Sequence, residues 1–432
     1  MNEWRKIQIK ELCSDIIDCV NKTAPISNTP TKYRMLRTSD IRDGFINLEN
    51  LNCVTEETYN KWTRRGFLQK GDIILTREAP LGEVGLVRYA ENFFLGQRLV
   101  LLRANPSVCD NRFLLYALQF HDNKQAIIAK GVGATVLHLR VPECEKIEIR
   151  VPDLQTQRKI GNILFAYDNL IKNNQKQIKL LEEAAQRLYK EWFVDLRFPG
   201  YETTPVVNGV PEGWQKYHLK EVIDYEIGGG WGEELPTDRY DCAAYVIRGT
   251  DLFDITHGNT LGIPFRYHSR SNLLARMLAD GDIVFEVSGG SKTEGVARTA
   301  LIRSSMLALW EKPAICASFC KLIRPVETRY SQFIFDTLQY MRFSGKTTEY
   351  DKRSASSIVN YRWKDFLSKE TIVFPSDKVL KKYNLIAEST YQMMICKSIS
   401  IEKAREARDR LLPKLMSGEI EVKSQRHKGV IP

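Results

Sequence analysis

Pro152-Asp153-Leu154-Gln155-Thr156-Gln157 opens a stretch that runs to Leu188-Tyr189-Lys190-Glu191-Trp192, with only Gly161 interrupting it. Pro152 ends any strand before it, and Asp153 is placed to cap a helix. Two seven-residue series follow. One is Ile160, Tyr167, Asn174, Leu181 and Leu188; the other is Leu164, Ile171, Ile178, Ala185 and Trp192. Together they form an apolar seam with alternating spacings of four and three, the pattern of a coiled coil. Such a helix would span about 60 Å and offer a stripe narrow enough for one partner helix. Asn174 sits mid-seam, where a buried amide lowers stability and fixes register. Each buried seam side chain contributes about 1.5–3 kcal/mol, so pairing survives one asparagine. Parallel and antiparallel pairing both remain open to this reading.

The partner is in the same chain. Trp4, Lys6, Lys10 and Glu11 recur as Trp214, Lys216, Lys220 and Glu221, a step of 210. Gly71-Asp72-Ile73-Ile74 recurs at the same step as Gly281-Asp282-Ile283-Val284. Arg37-Thr38-Ser39-Asp40-Ile41 resembles Arg248-Gly249-Thr250-Asp251-Leu252, one residue off that step. The later matches fall at a step of 223: Pro152/Pro375, Glu183/Glu406, Arg187/Arg410 and Leu188/Leu411. Their collinear order is the mark of a two-fold internal repeat, each half a globular part followed by a long helix. The second helix is expected from about Lys378 to Met416. Tyr383, Ala387, Met394, Ile401, Leu411 and Leu415 fit its seam, while Lys397 and Arg408 do not. Lys397 is the counterpart of Asn174, and in an antiparallel pair these two polar groups are expected near each other.

The boundaries follow: a globular part at 1–150, a helix at 151–198, a linker and second globular part at 199–373, and a second helix with a basic tail at 374–432. Strands are expected at 72–76 and 99–102, one helix over Arg112–Gln125, and a linker over Thr203–Gly213.

The chain has 432 residues and a net charge of +10. Two or three domains are expected from that length. The basic balance favours a polyanionic partner. The nine cysteines lack zinc-ligand spacing and read as reduced thiols of a cytoplasmic protein. No apolar run suits a signal peptide or a membrane span. Ser344-Gly345-Lys346-Thr347 lacks the earlier glycine of a phosphate-binding loop, and Gly228-Gly229-Gly230-Trp231-Gly232 lacks dinucleotide spacing. No hydrolase, protease or methyltransferase motif is present, and no metal site is expected.

What remains is a set of polar, cation-bearing loops at comparable places in both halves. In the first they carry Thr76, Arg77, Arg98, Lys130, Thr135 and His138. In the second they carry Ser291, Lys292, Thr293, Lys346, Lys352 and Arg353. Arginine and lysine neutralise phosphates, arginine reads guanine edges, and hydroxyls suit phosphate oxygens.

The arrangement resembles the DNA-specificity subunit of type I restriction–modification systems. The residues that carry the resemblance are the two Gly-Asp segments at Gly71 and Gly281, Pro211-Glu212-Gly213-Trp214, and Leu188-Tyr189-Lys190-Glu191-Trp192-Phe193. The most specific is Arg410-Leu411-Leu412-Pro413-Lys414-Leu415-Met416-Ser417-Gly418-Glu419-Ile420. One departure is Lys378-Val379-Leu380, which stands where the first copy has Gln155 to Gln157. The resemblance implies an α+β fold: two similar mixed α/β target-recognition domains joined by two long antiparallel coiled-coil helices, with a pseudo-two-fold repeat. The helix-pairing seam is then Leu164, Ile171, Asn174, Ile178, Leu181, Leu188 and Trp192 against Met394, Ile401, Leu411 and Leu415. The resemblance further implies that the partners are double-stranded DNA, two methylation subunits and a restriction/translocase subunit. S-adenosylmethionine, ATP and magnesium then belong to those subunits, and this chain is non-catalytic. Two other readings stand beside it: a stand-alone methyltransferase or nuclease, and a coiled-coil interaction protein with incidental basic loops.

Overall fold

Asp153 caps the first long helix as its position demands: Oδ1 accepts from the Thr156 amide at 3.0 Å and Oδ2 from the Thr156 hydroxyl at 2.7 Å. The helix then runs unbroken from Leu154 to Tyr189, 36 residues or about 54 Å, and Lys190–Val194 adds a π-helical turn. The second long helix is Asp377–Met416, 40 residues. Gly418, at φ +78°, follows its end. This computed structural model describes residues 4–257, 259–260, 262–289, 295–353 and 358–422. The expected sites Ser291, Lys292 and Thr293 and the basic tail lie outside the described residues.

The chain divides into two compact units: residues up to Leu170 with those from Ala404 on, and Ile171–Lys403. The sequence boundaries at 150 and 373 therefore separate each globular part from helical segments that belong to its own core.

In the first unit, Ile160 and Leu164 are buried in one cluster with Leu415 and Met416, beside the helix residues Phe113 and Leu114. Leu411 packs at its margin. In the second unit, Asn174 meets Ser400, whereas Trp192 meets Tyr383 with ring centroids 6.0 Å apart. One helix advances as the other retreats, so the pairing is antiparallel. Ile171, Ile178, Met394 and Ile401 are buried as expected, and Leu181 and Leu188 are half-buried.

Two seam assignments are corrected. Asp168, 1 % exposed, takes the deep position beside the half-buried Tyr167. Arg408 belongs to the interface, because its guanidinium pairs with Asp168. The Asn174 amide donates to the Ser400 hydroxyl at 3.1 Å, one helical turn beyond Lys397.

The repeat is visible strand by strand. The first unit has an antiparallel four-stranded sheet in the spatial order Cys13–Asp18, Leu99–Ala104, Ile73–Arg77, Leu81–Leu86. The second has Ile223–Gly228, Cys320–Pro325, Ile283–Glu286, Thr299–Leu301 in the same order. Beside each lies a three-stranded sheet with one parallel pairing, Arg34–Leu36 on Phe93–Leu95 and Cys242–Ile247 on Ala314–Cys316.

The Gly-Asp segments have a physical reason. Asp72 is buried, accepts from the Gln69 amide at 2.6 Å, and is gripped by Arg103 through two bonds of 2.9 Å. Asp282 repeats this with the Ala279 amide at 2.7 Å and Arg324 through two bonds of 2.7 Å. Gly71 and Gly281 supply the positive φ, +98° and +86°, that the preceding turn requires. Asp40 and Asp251 likewise each fold back on the amide and guanidinium three residues earlier, Arg37 and Arg248.

One local expectation differs from the structure. The expected helix Arg112–Gln125 is two, Asn111–Gln119 and His121–Ala129, because Phe120 is extended (ψ 132°) and the Asn123 side chain takes the Ala117 carbonyl at 2.8 Å. The expected linker contains a hairpin, Val206–Val207 with Val210–Pro211, turned by Asn208 and Gly209 at φ +52° and +78°.

Candidate nucleic-acid interface

In each unit three loops converge on one main-chain stitch. In the first unit the Arg77 amide donates to the Arg98 carbonyl at 2.8 Å, and the Leu139 amide donates to the Arg77 carbonyl at 2.9 Å. In the second the Val287 amide donates to the Phe319 carbonyl at 2.9 Å, and the Tyr361 amide donates to the Val287 carbonyl at 2.9 Å. The backbone arrangement is the same, and the side chains it presents differ. The loop tip carries Arg98, 49 % exposed, in one unit and Phe319, 54 % exposed, in the other.

The stitch sorts the residues expected at this surface. Thr76 is fully buried; its hydroxyl donates to the Pro80 carbonyl at 2.6 Å and accepts from the Glu83 amide at 2.9 Å. Arg77 is 5 % exposed, with Nη2 2.9 Å from Asp18 Oδ1. Neither offers surface to a polyanion, so their expected DNA contacts are corrected: both hold the loops that others occupy. Arg98 and His138 are brought together by Glu78, each 3.3 Å from its carboxylate. Thr135 is exposed on the same loop as His138. Lys130 turns 3.8 Å from Glu143.

In the second unit, Lys352 and Arg353 are exposed on the strand Asp351–Arg353. Val359–Tyr361 pairs with that strand on one side and with Ser288–Gly289 on the other. Ser288–Gly289 and Asp351–Arg353 thus lie at the two edges of one small sheet. Lys346 points elsewhere, 3.5 Å from Glu370, whose other oxygen accepts from the Tyr350 hydroxyl at 2.5 Å.

Sequence reasoning missed the aromatic part of this surface. The run Gly228–Gly232 packs flush on the Phe319 loop: the Gly229 amide donates to the Cys320 carbonyl and the Gly230 amide to the Cys316 carbonyl, both at 2.9 Å. A Cβ at Gly229 would collide with the Ala317 and Cys316 carbonyl oxygens. The run thereby sets Trp231, 41 % exposed, beside Phe319 on a cavity of about 650 Å³, with Arg248, Glu286 and Arg298 in its wall. Arg266 lies 5.0 Å from the Trp231 ring. Glu286 is neutralised by Arg298 through bonds of 2.8 and 2.5 Å. The signal was present as three glycines before a tryptophan, which permit close approach and present an aromatic, a use separate from dinucleotide binding.

Chemically, these surfaces can supply guanidinium and ammonium groups to phosphates and flat aromatic faces to sugars or bases. Among the described residues no group of three or more His, Cys, Asp or Glu is placed to hold a metal ion. No described helix is long and apolar enough to cross a membrane.

Comparison with known proteins agrees with this geometry. A family model described as the type I restriction modification DNA specificity domain matches residues 1–183. The type I restriction enzyme MjaIX specificity subunit of Methanocaldococcus jannaschii is 24% identical over 386 residues, 85% of this chain and 82% of that one. The HindI specificity subunit of Haemophilus influenzae is 22% identical over 82% of this chain and 87% of its own. The crystal structure of the type I restriction–modification S subunit from M. genitalium shares the fold, with a TM-score of 0.62 at 16% identity over 95% of this chain and 96% of that one.

Proposed function

We propose that the chain is a type I restriction–modification DNA-specificity subunit and that it reads a bipartite site in double-stranded DNA, one half-site per globular unit. The observation that carries this reading is the repeated three-loop stitch with Arg98 at one tip and Phe319 at the other. One backbone presents two chemistries, so the two half-sites differ in sequence. Arg98 suits a phosphate or a guanine edge, and Phe319 with Trp231 suits a sugar face, a thymine methyl or an unstacked base.

The paired helices serve as a spacer between half-sites and as the docking surface for two methylation subunits and one restriction/translocase subunit. S-adenosylmethionine, ATP and magnesium act on those subunits, in the cytoplasm. This chain positions the DNA and transfers nothing itself.

Fluorescence anisotropy with the purified chain across a salt series tests the reading, together with methyl transfer from labelled S-adenosylmethionine. The expected result is a sequence preference, affinity that falls steeply with salt, and no methylation until methylation subunits are added. Methyl transfer by the chain alone would make it an enzyme. Salt-independent binding without preference would reduce its basic loops to incidental surface.

A further inference from the structure

The two units share one tyrosine–aspartate hydrogen bond with its partners exchanged. In the first unit, Tyr116 on the helix Asn111–Gln119 donates to Asp168 on the first long helix at 2.5 Å. In the second unit, Asp336 stands on the corresponding helix Ser331–Phe343 and Tyr391 on the second long helix, and Tyr391 donates to Asp336 at 2.9 Å. Tyr391 is the repeat partner of Asp168 at the step of 223. The third member breaks the symmetry. Arg408 places Nη1 2.7 Å from Asp168 Oδ1. The repeat partner of Arg408, at the same step, is Ala185.

Where the missing arginine would lie, the second unit has a cavity of about 460 Å³. Ala185, Asp336, Tyr189, Tyr340, Tyr391 and Phe343 line it, and Phe343, 64 % exposed, stands at its mouth. Asp336 is buried and accepts from Gln332 at 2.8 Å, Tyr383 at 2.6 Å and Tyr391. Among the described residues no lysine or arginine forms an ion pair with it. Arg303 is held one step away, on Gln332 Oε1 at 2.6 Å and 3.7 Å from Glu388. Burial pushes the Asp336 carboxyl up to about 6. Of the charged groups at the rim, Lys190 is held by Asp195 at 2.7 Å, and Glu183 and Arg187 are exposed.

We propose that this cavity is a docking pocket for the guanidinium of an arginine side chain supplied by a partner protein, taking the place that Arg408 fills from within the chain in the other unit. A buried carboxylate at the base answers the positive charge. Tyrosine and phenylalanine faces suit a flat, weakly hydrated cation better than an ammonium. The proposal goes beyond DNA reading and needs no DNA for its test.

Saturation-transfer NMR on the full chain, with N-acetyl-arginine amide as probe and N-acetyl-citrulline amide as its neutral isostere, decides it. The expected signal for the arginine probe is at least threefold that of citrulline. Asp336→Asn and Ala185→Arg should each abolish the difference, the latter by filling the pocket from within, and Arg187→Ala should leave it unchanged. Equal signals for the two probes, or a difference that persists in Asp336→Asn, would overturn the proposal. A difference that appears only after Arg187→Ala would show the pocket already filled by the chain itself, and would overturn it too.

Discussion

Arg408 Nη1 lies 2.7 Å from Asp168 Oδ1, at a point on the helix pair where the aspartate is 1 % exposed and the arginine side chain 15 %. Repeat periodicity alone scores Arg408 as a flaw in an apolar seam. The flaw is matched, because the opposite helix carries its counter-charge one residue from the expected seam position.

Removing one partner is therefore worse than removing both. Arg408→Ala leaves Asp168 buried with the Tyr116 hydroxyl as its one remaining side-chain partner among the described residues, and should lower stability by about 3–5 kcal/mol. The double variant Asp168→Leu/Arg408→Leu should recover most of that loss, since apolar pairs of similar volume often equal buried ion pairs. Urea unfolding of the three proteins checks this.

Asn174 should behave in the opposite sense. Asn174→Leu combined with Ser400→Ala replaces one amide–hydroxyl bond by apolar burial and should raise stability by about 1–2 kcal/mol. Calorimetry gives the sign. The stabilised protein should also tolerate helix-register shifts that the native chain excludes, detectable as a broadened set of cross-links between the two helices.

Asp336 gives the pH dependence. Its folded carboxyl titrates near 6, raised from 3.8 chiefly by burial and opposed by bonds from Tyr383, Gln332 and Tyr391. The folded state holds that proton more tightly than the unfolded one. The associated stability is full below about pH 4 and is lost as pH rises through 6. Asp336→Asn should thus gain stability relative to wild type between pH 4 and pH 7, by about 3 kcal/mol at most. A flat difference across that range contradicts the assignment.

The reading surfaces should respond separately. Arg98→Ala should weaken DNA binding, reduce the slope of log affinity against log salt by about 1, and relax one half-site. Phe319→Ala should relax the other half-site and leave the slope in place. Gly229→Ala, which forces the backbone off the Ala317 carbonyl and displaces Trp231, should mimic Phe319→Ala and cost a further 1–3 kcal/mol or so of stability. Anisotropy titrations on sites randomised in each half read all three.

The parts of this molecule that sequence disclosed best were those governed by periodicity. Ile160, Leu164, Ile171 and Ile178 are buried because a seven-residue repeat leaves one face no alternative. The two Gly-Asp segments marked the repeat because a positive φ and a buried carboxylate tolerate few residues. The loops were read less well. Thr76 and Arg77 carry the right chemistry for a phosphate, but their strand Ile73–Arg77 is buried on both faces, and the ion pair with Asp18 depends on a fold that spacing does not encode. Trp231 is hard to read from sequence because a glycine run before a tryptophan fits several uses, and the close approach to the Ala317 and Cys316 carbonyls is set only by the fold. The tyrosine–aspartate exchange was invisible for another reason: Tyr116 answers Asp336, and an alignment of the halves shows a mismatch where the structure keeps the bond.

In the proposed function the paired helices set the distance between two half-sites. Inserting one heptad into each long helix lengthens the pair by about 10 Å, which corresponds to about 3 base pairs. The measurement is genome-wide sequencing of methylated adenines in cells carrying either form of the chain with its methylation subunits. The expected result is the same two half-sites, separated by a spacer longer by about 3 base pairs. An unchanged spacer in an active complex would contradict it.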